Sequence, residues 1–237
     1  MKPPAINLAT GADAAAAAAF QAAGAILALL ALNRAAPGAE TPPLSAGAAL
    51  GMFFPLAIAA ALAFRRARRS GVPARRIFGA KRPAKEIFFG ASAGLLMMPV
   101  AAFLTYLTLC AAASAGLPPP PPQRLTLMLA HSGTTLLAKA IAAAAITLAA
   151  PAAEELLNRW AITGWLAGRF PAPLAAAISA LFFAALHLNV ASAFGLFALG
   201  MVFAALYLRS GSLLGPIAAH IAFNLANLAF MLATANL

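Results

Sequence analysis

The chain has 237 residues, 63% of them hydrophobic and 9% charged, and a formal net charge of +11. Apolar stretches longer than about 18 residues recur from end to end, which excludes a soluble domain and calls for transmembrane helices. These runs do not alternate in polarity as the strands of an outer-membrane barrel do. The basic excess is gathered in one stretch without aromatic or motif context for base reading, so no nucleic-acid partner is expected.

In chain order, a first span is expected from about Asp13 to Leu32, after a weak basic start at Lys2. No cleavage region follows, so it reads as a retained helix and not a removed signal peptide. A Pro- and Gly-containing loop with Arg34 and Glu40 leads to a second span at about Ser45 to Phe64. Nine of the sixteen Lys and Arg then fall together: Arg65, Arg66, Arg68, Arg69, Arg75, Arg76, Lys81, Arg82 and Lys85. A short loop this basic stays on the cytoplasmic side and can also meet anionic headgroups. A third span covers about Glu86 to Ala115, with a kink expected at Pro99. It contains Cys110, the single cysteine, expected as packing, so no intrachain disulfide can form. The run Pro118 to Pro122 predicts a stiff extended connector.

From Leu125 to Gly168 the helical pattern is too long for one straight span, and a kink or break is expected at Pro151. Arg169, Pro171 and Pro173 end it. Further helices are expected at about Leu174 to Leu188, Ala193 to Leu208 and Leu213 to Ala233, with Ser210-Gly211-Ser212 as a compact turn. The fold class is therefore all-α, a polytopic transmembrane bundle of about seven helices, or eight if the long region divides at Pro151. It forms one membrane domain over 1-237, with N-terminal spans and the basic loop 65-85 in 1-124 and a catalytic helical core in 125-237. With that loop inside, Lys2, Arg169 and Arg209 fall inside and Arg34 and Arg124 outside. An Ala-rich, Arg-over-Lys composition points to a GC-rich bacterial source, hence to the inner membrane.

Two adjacent carboxylates, Glu154 and Glu155, are two of only five acidic residues in the chain. Ionisable groups in such apolar sequence are costly and mark function. Glu155 and Arg159 are spaced i, i+4, as are His220 and Asn224, so each pair shares a helix face. Glu154 lies about sixteen residues before the Arg169 to Pro173 turn and His187 about sixteen after it, so antiparallel helices would bring them to similar depth. His131, beside Ser132-Gly133, reads as an ordinary hydrogen-bonded histidine, and Trp160 and Trp165 as interfacial anchors.

The ordered set EExxxR at Glu154, Glu155 and Arg159, FxxxH at Phe183 and His187, and HxxxN at His220 and Asn224 resembles the CPBP family. These are the CAAX-protease and bacteriocin-processing intramembrane glutamate endopeptidases, also called Abi proteins. The resemblance covers roughly Ala140 to Ala229. It implies Glu154 as the general base that activates water, His187 as its assistant, and His220 and Asn224 as the oxyanion site. Glu155, Arg159 and Phe183 take supporting roles, Phe183 as a wall of the site. The family commonly has an aromatic residue before the motif arginine and glycine after it, where this chain has Asn158 and Trp160. The implied partners are a peptide or protein substrate, membrane-associated or lipidated, and the lipid bilayer, with no cofactor. Two alternatives use the same groups: a metal site built from Glu154, His187 and His220, and a non-catalytic scaffold or regulator held by the polar cluster. A proton-relay transporter is disfavoured, because no repeat halves with paired broken helices are visible.

Overall fold

The computed structural model describes residues 10–33, 43–69, 71–118 and 124–234. The expectations at Lys2, Arg34, Glu40 and Pro119 to Pro122 lie outside them. Among the described residues the fold is helical, without strands. The helices are α1 (Gly11–Asn33), α2 (Ala46–Arg69), α3 (Ala74–Phe78), α4 (Pro83–Ser114), α5 (Arg124–Ala130), α6 (Leu136–Ala167), α7 (Ala172–Leu186), α8 (Ala193–Ser210) and α9 (Leu214–Thr234). Of the described residues' helices, α2, α4, α6, α8 and α9 are long and apolar enough to cross a membrane, and α7 is a shorter apolar helix. Phe88, Leu96 and Phe103 of α4 are exposed, as suits a surface whose solvent is lipid. The molecule is a polytopic helical membrane bundle.

Of the kink or break expected at Pro151, the break does not occur: α6 runs through it. Residues Ala145–Ala149 form a π-helical turn in which the Ala150 N–H bonds the carbonyl of Ala145, five residues back. The wider turn accommodates the proline ring that would clash in an α-helix. In that register the carbonyl of Ile146 faces Pro151, which has no N–H to donate. Asn224 of α9 supplies the missing donor, Nδ2 to Ile146 O at 2.9 Å. The chain breaks instead before α6, at Ser132 and Gly133. There the Gly133 N–H bonds the His131 ring at 2.9 Å, and Thr135 caps α6 by accepting the Ala138 N–H.

The basic stretch 65-85 is not an open loop either. It comprises the last turn of α2, the short helix α3 and the start of α4. Ile77 and Val72 are buried, and the Leu213 N–H bonds the Ile77 carbonyl at 3.0 Å, which ties this stretch to the Ser210 to Ser212 turn. The Asp13 carboxylate of α1 pairs with Arg66, while Trp165 packs on Gly11 and under the Arg169 guanidinium, 4.3 Å from the ring centroid. One end of the bundle therefore gathers the basic stretch, Arg169 and the turn after Arg209. At the other, the Leu44 N–H before α2 bonds the Thr134 hydroxyl before α6. Trp160 is buried and is no interfacial anchor, and Cys110 is exposed on α4, not packed.

The most extensive helix pairing joins α4 to α9. Gly90 and Gly94 sit so close to the backbone of Gly215 and Ala219 that a Cβ at either would collide with a carbonyl oxygen. Small residues one turn apart let the two backbones touch, which is how membrane helices gain contact where no hydrophobic drive exists between them. Pro99 lies inside α4, which continues past it. Because only backbone can yield at this contact, Gly94→Leu is expected to cost about 1–3 kcal/mol or more, read as a lower melting temperature in detergent. Gly51→Leu, with open space around it, should leave the melt unchanged.

Candidate active site

The second π-helical segment of α6, Leu156–Thr163, begins directly after the two glutamates and is buried along its whole length. It packs against α7 and α8 on one side and α1 and α2 on the other. Arg159 Nε donates to Glu155 Oε2 at 2.8 Å, and both side chains are fully buried. The other carboxylate oxygen, Oε1, stands 3.0 Å from His220 Nδ1. Both Glu155 oxygens are thus committed. A carboxylate on Nδ1 places the proton on that nitrogen and turns Nε2 toward the remaining chemistry.

Arg159 is held on every side. Its Nη1 donates to the Ser179 hydroxyl at 3.2 Å, and its guanidinium carbon lies 5.2 Å from the Phe183 ring and 5.7 Å from the Phe203 ring. Aromatic faces attract a desolvated cation, which suits Nη2, buried without a hydrogen-bond partner. Phe203 also stacks on the His220 ring at 4.8 Å, and Phe183 meets the His187 and His220 rings edge-on at 4.6 and 5.9 Å. Phe183 is accordingly the hub of the aromatic packing. Thr163 donates to the Asn158 carbonyl, and its hydroxyl is 2.7 Å from that of Ser179.

The two glutamates differ sharply. Glu154 makes no side-chain hydrogen bond among the described residues; its side chain is 21% exposed, against 0% for Glu155, and its Oε2 stands 4.0 Å from His220 Nε2. That gap is too long for a direct hydrogen bond and is the kind a single water fills. His187 caps the C-terminus of α7, with Nδ1 donating to the Phe183 carbonyl at 2.8 Å. No hydrogen bond or ion pair joins it to Glu154 among the described residues. Asn224 is turned toward Ile146 of α6, which uses one of its two amide hydrogens. Among the described residues no three His, Cys, Asp or Glu side chains are grouped closely enough to hold a metal ion.

Asn158, which stands where the resemblance leads one to expect an aromatic ring, donates to the Glu154 carbonyl at 2.9 Å and to Gln21 Oε1 of α1 at 2.8 Å. That bond pins the N-terminal helix to the site. Sequence reasoning missed Gln21, Ser179, Thr163 and Phe203. A signal existed for two of them: Ser179 lies one turn before Phe183 and Thr163 one turn after Arg159, so each extends a motif face by one i, i+4 step. Phe203 had none, since it is one apolar residue among many on α8.

The helical membrane bundle seals carboxylate, guanidinium and imidazole groups together at the start of the π-helical segment of α6. Residues 136–226, from the start of α6 into α9, match the family model described as Rce1-like, type II CAAX prenyl endopeptidase Rce1-like. The resemblance read from the motifs is borne out over that segment. No curated protein and no solved structure matches the chain.

Removing one partner of a buried ion pair leaves an uncompensated charge. Arg159→Met is therefore expected to destabilise the protein by about 3–5 kcal/mol, measured by thermal unfolding in detergent. Adding Glu155→Gln to that variant should restore part of the loss.

Proposed function

We propose that this protein is an intramembrane endopeptidase in which Glu154 activates the attacking water. The observation that carries the reading is the asymmetry of the glutamates: Glu155 has both oxygens tied to Arg159 and His220, while Glu154 is open and faces His220 Nε2. A water held between Glu154 and the imidazole loses a proton to the carboxylate as its oxygen bonds the scissile carbonyl carbon. The carbonyl oxygen gains the negative charge. In the imidazolium form His220 presents an Nε2–H to that oxygen, and the free amide hydrogen of Asn224 is the second donor. Collapse of the tetrahedral intermediate breaks the C–N bond, and Glu154 returns the proton to the leaving amine.

Glu155 positions His220 by holding Nδ1–H, and Arg159 holds Glu155. His187, whose Nδ1–H is occupied by the Phe183 carbonyl, keeps Nε2 as an acceptor when neutral and serves as the assisting base. The substrate is a peptide segment of a membrane-associated protein. Lipidation of that substrate accords with the prenyl endopeptidase description of the matched family model.

Purified protein in liposomes should cleave members of a peptide library, with Glu154→Gln lowering the rate by about 10²–10⁴ and Asn224→Ala by about 10²–10³. His187→Ala should also lose activity. A chelator is expected to leave wild-type cleavage intact, and chelator loss restored by a single metal would replace this mechanism with a metal-dependent one. No cleavage, together with an unchanged cellular phenotype in folded Glu154 and His187 variants, would instead make the polar cluster a scaffold.

A further inference from the structure

A second feature lies on the far face of the catalytic helix. Between α1 and α2, at the basic end of the bundle, is a cavity of about 480 Å³. It is lined by Arg65, Arg66 and Arg69 together with Asp13, and by the apolar Phe20, Leu62 and Leu157. Asp13 is fully engaged: one oxygen pairs with Arg66, and the other accepts the Thr10 N–H at 2.8 Å and the Thr10 hydroxyl at 2.7 Å. Arg65 and Arg69 have no ion-pair or hydrogen-bond partner among the described residues. They are spaced i, i+4, so two like charges share one helix face and repel.

The C-terminal position on α2 is favourable for cations in general, and Arg68 shares that benefit without lining the cavity. The cavity adds what a plain basic helix end lacks: apolar lining from Phe20, Leu62 and Leu157 in the same space as the guanidinium-bearing Arg65 and Arg69. A guanidinium pair is suited to a phosphate group, whose oxygens accept its parallel N–H donors.

We propose that this cavity binds a phosphate-bearing anion, with the phosphate on Arg65 and Arg69 and, when the anion is a phospholipid, an acyl chain along Phe20 and Leu62. Leu157, which lines the cavity, is followed by Asn158, so the occupant sits against the same helix segment that carries the candidate active site. The site does not depend on the protease reading.

The test uses the full chain purified in detergent, titrated with phosphatidylglycerol, with phosphatidylcholine of the same chains and with inorganic phosphate, bound species being read by native mass spectrometry. Phosphatidylglycerol should be retained in preference to phosphatidylcholine. The double variant Arg65→Gln/Arg69→Gln should weaken retention about ten- to thirtyfold. Leu62→Trp, which adds bulk to the apolar lining and leaves every charge in place, should weaken it as well. Arg68→Gln should bind within about twofold of wild type, because it removes one charge from the same helix end but not from the cavity. Binding of inorganic phosphate that displaces the lipid and is lost in the double variant supports the same site with free phosphate as its ligand. Equal retention of the two lipids, unchanged retention in both cavity variants, or an Arg68→Gln loss as large as that of the double variant overturns the proposal. Circular dichroism melts check that each variant is folded.

Discussion

The ion pair between Glu155 and Arg159 is the constraint on which the rest of the core depends. Two full charges without solvent contact inside a membrane bundle are costly to place, and their mutual attraction alone does not reliably offset the lost hydration. The surrounding chain supplies the remainder. Ser179 and Phe183 come from α7, Phe203 from α8 and His220 from α9, each touching the guanidinium or the carboxylate. Three helices are thereby fixed in rotation around α6, and the ring of His220 is held in orientation by the same carboxylate that neutralises Arg159.

Helix α6 meets this demand through its irregularities. The π-helical turn ahead of Pro151 lets the helix pass a proline that should have broken it, and it turns the Ile146 carbonyl outward to Asn224. The second π-helical segment carries Asn158, Arg159 and Thr163, whose polar groups reach α1 and α7. Wide turns of this kind tend to occur where function requires a particular side-chain direction. Here they orient Asn224 and Arg159 without interrupting the span.

The neighbouring glutamates show how position divides labour between identical side chains. One residue of helical rotation takes Glu155 into the sealed network and leaves Glu154 at its edge, near His220 and without a side-chain hydrogen bond among the described residues. A group already saturated with partners is poorly placed to accept a proton from water, whereas an open one beside an imidazole is well placed to do so. The N-terminal helices contribute to the same arrangement from the opposite face, α1 through the Gln21 to Asn158 bond and α2 through the cavity it shares with α1.

The sequence alone determined the membrane class, most helix positions, and the residues of the three motifs. Hydropathy and i, i+4 spacing are local properties, and an isolated charge in apolar sequence has few explanations. Whether the region from Leu125 to Gly168 divides at Pro151 was left open by local pattern alone. Local propensity makes Pro151 a breaker, and only the tertiary contact from Asn224, 78 residues away, satisfies the carbonyl that the proline leaves open. The partners of Arg159 were likewise hidden, because Ser179 and Phe203 are ordinary in their own helices and acquire meaning only when packing brings them to the guanidinium. Which glutamate was sealed and which open was also a tertiary decision, since burial depends on what neighbouring helices place against a face and not on the face itself.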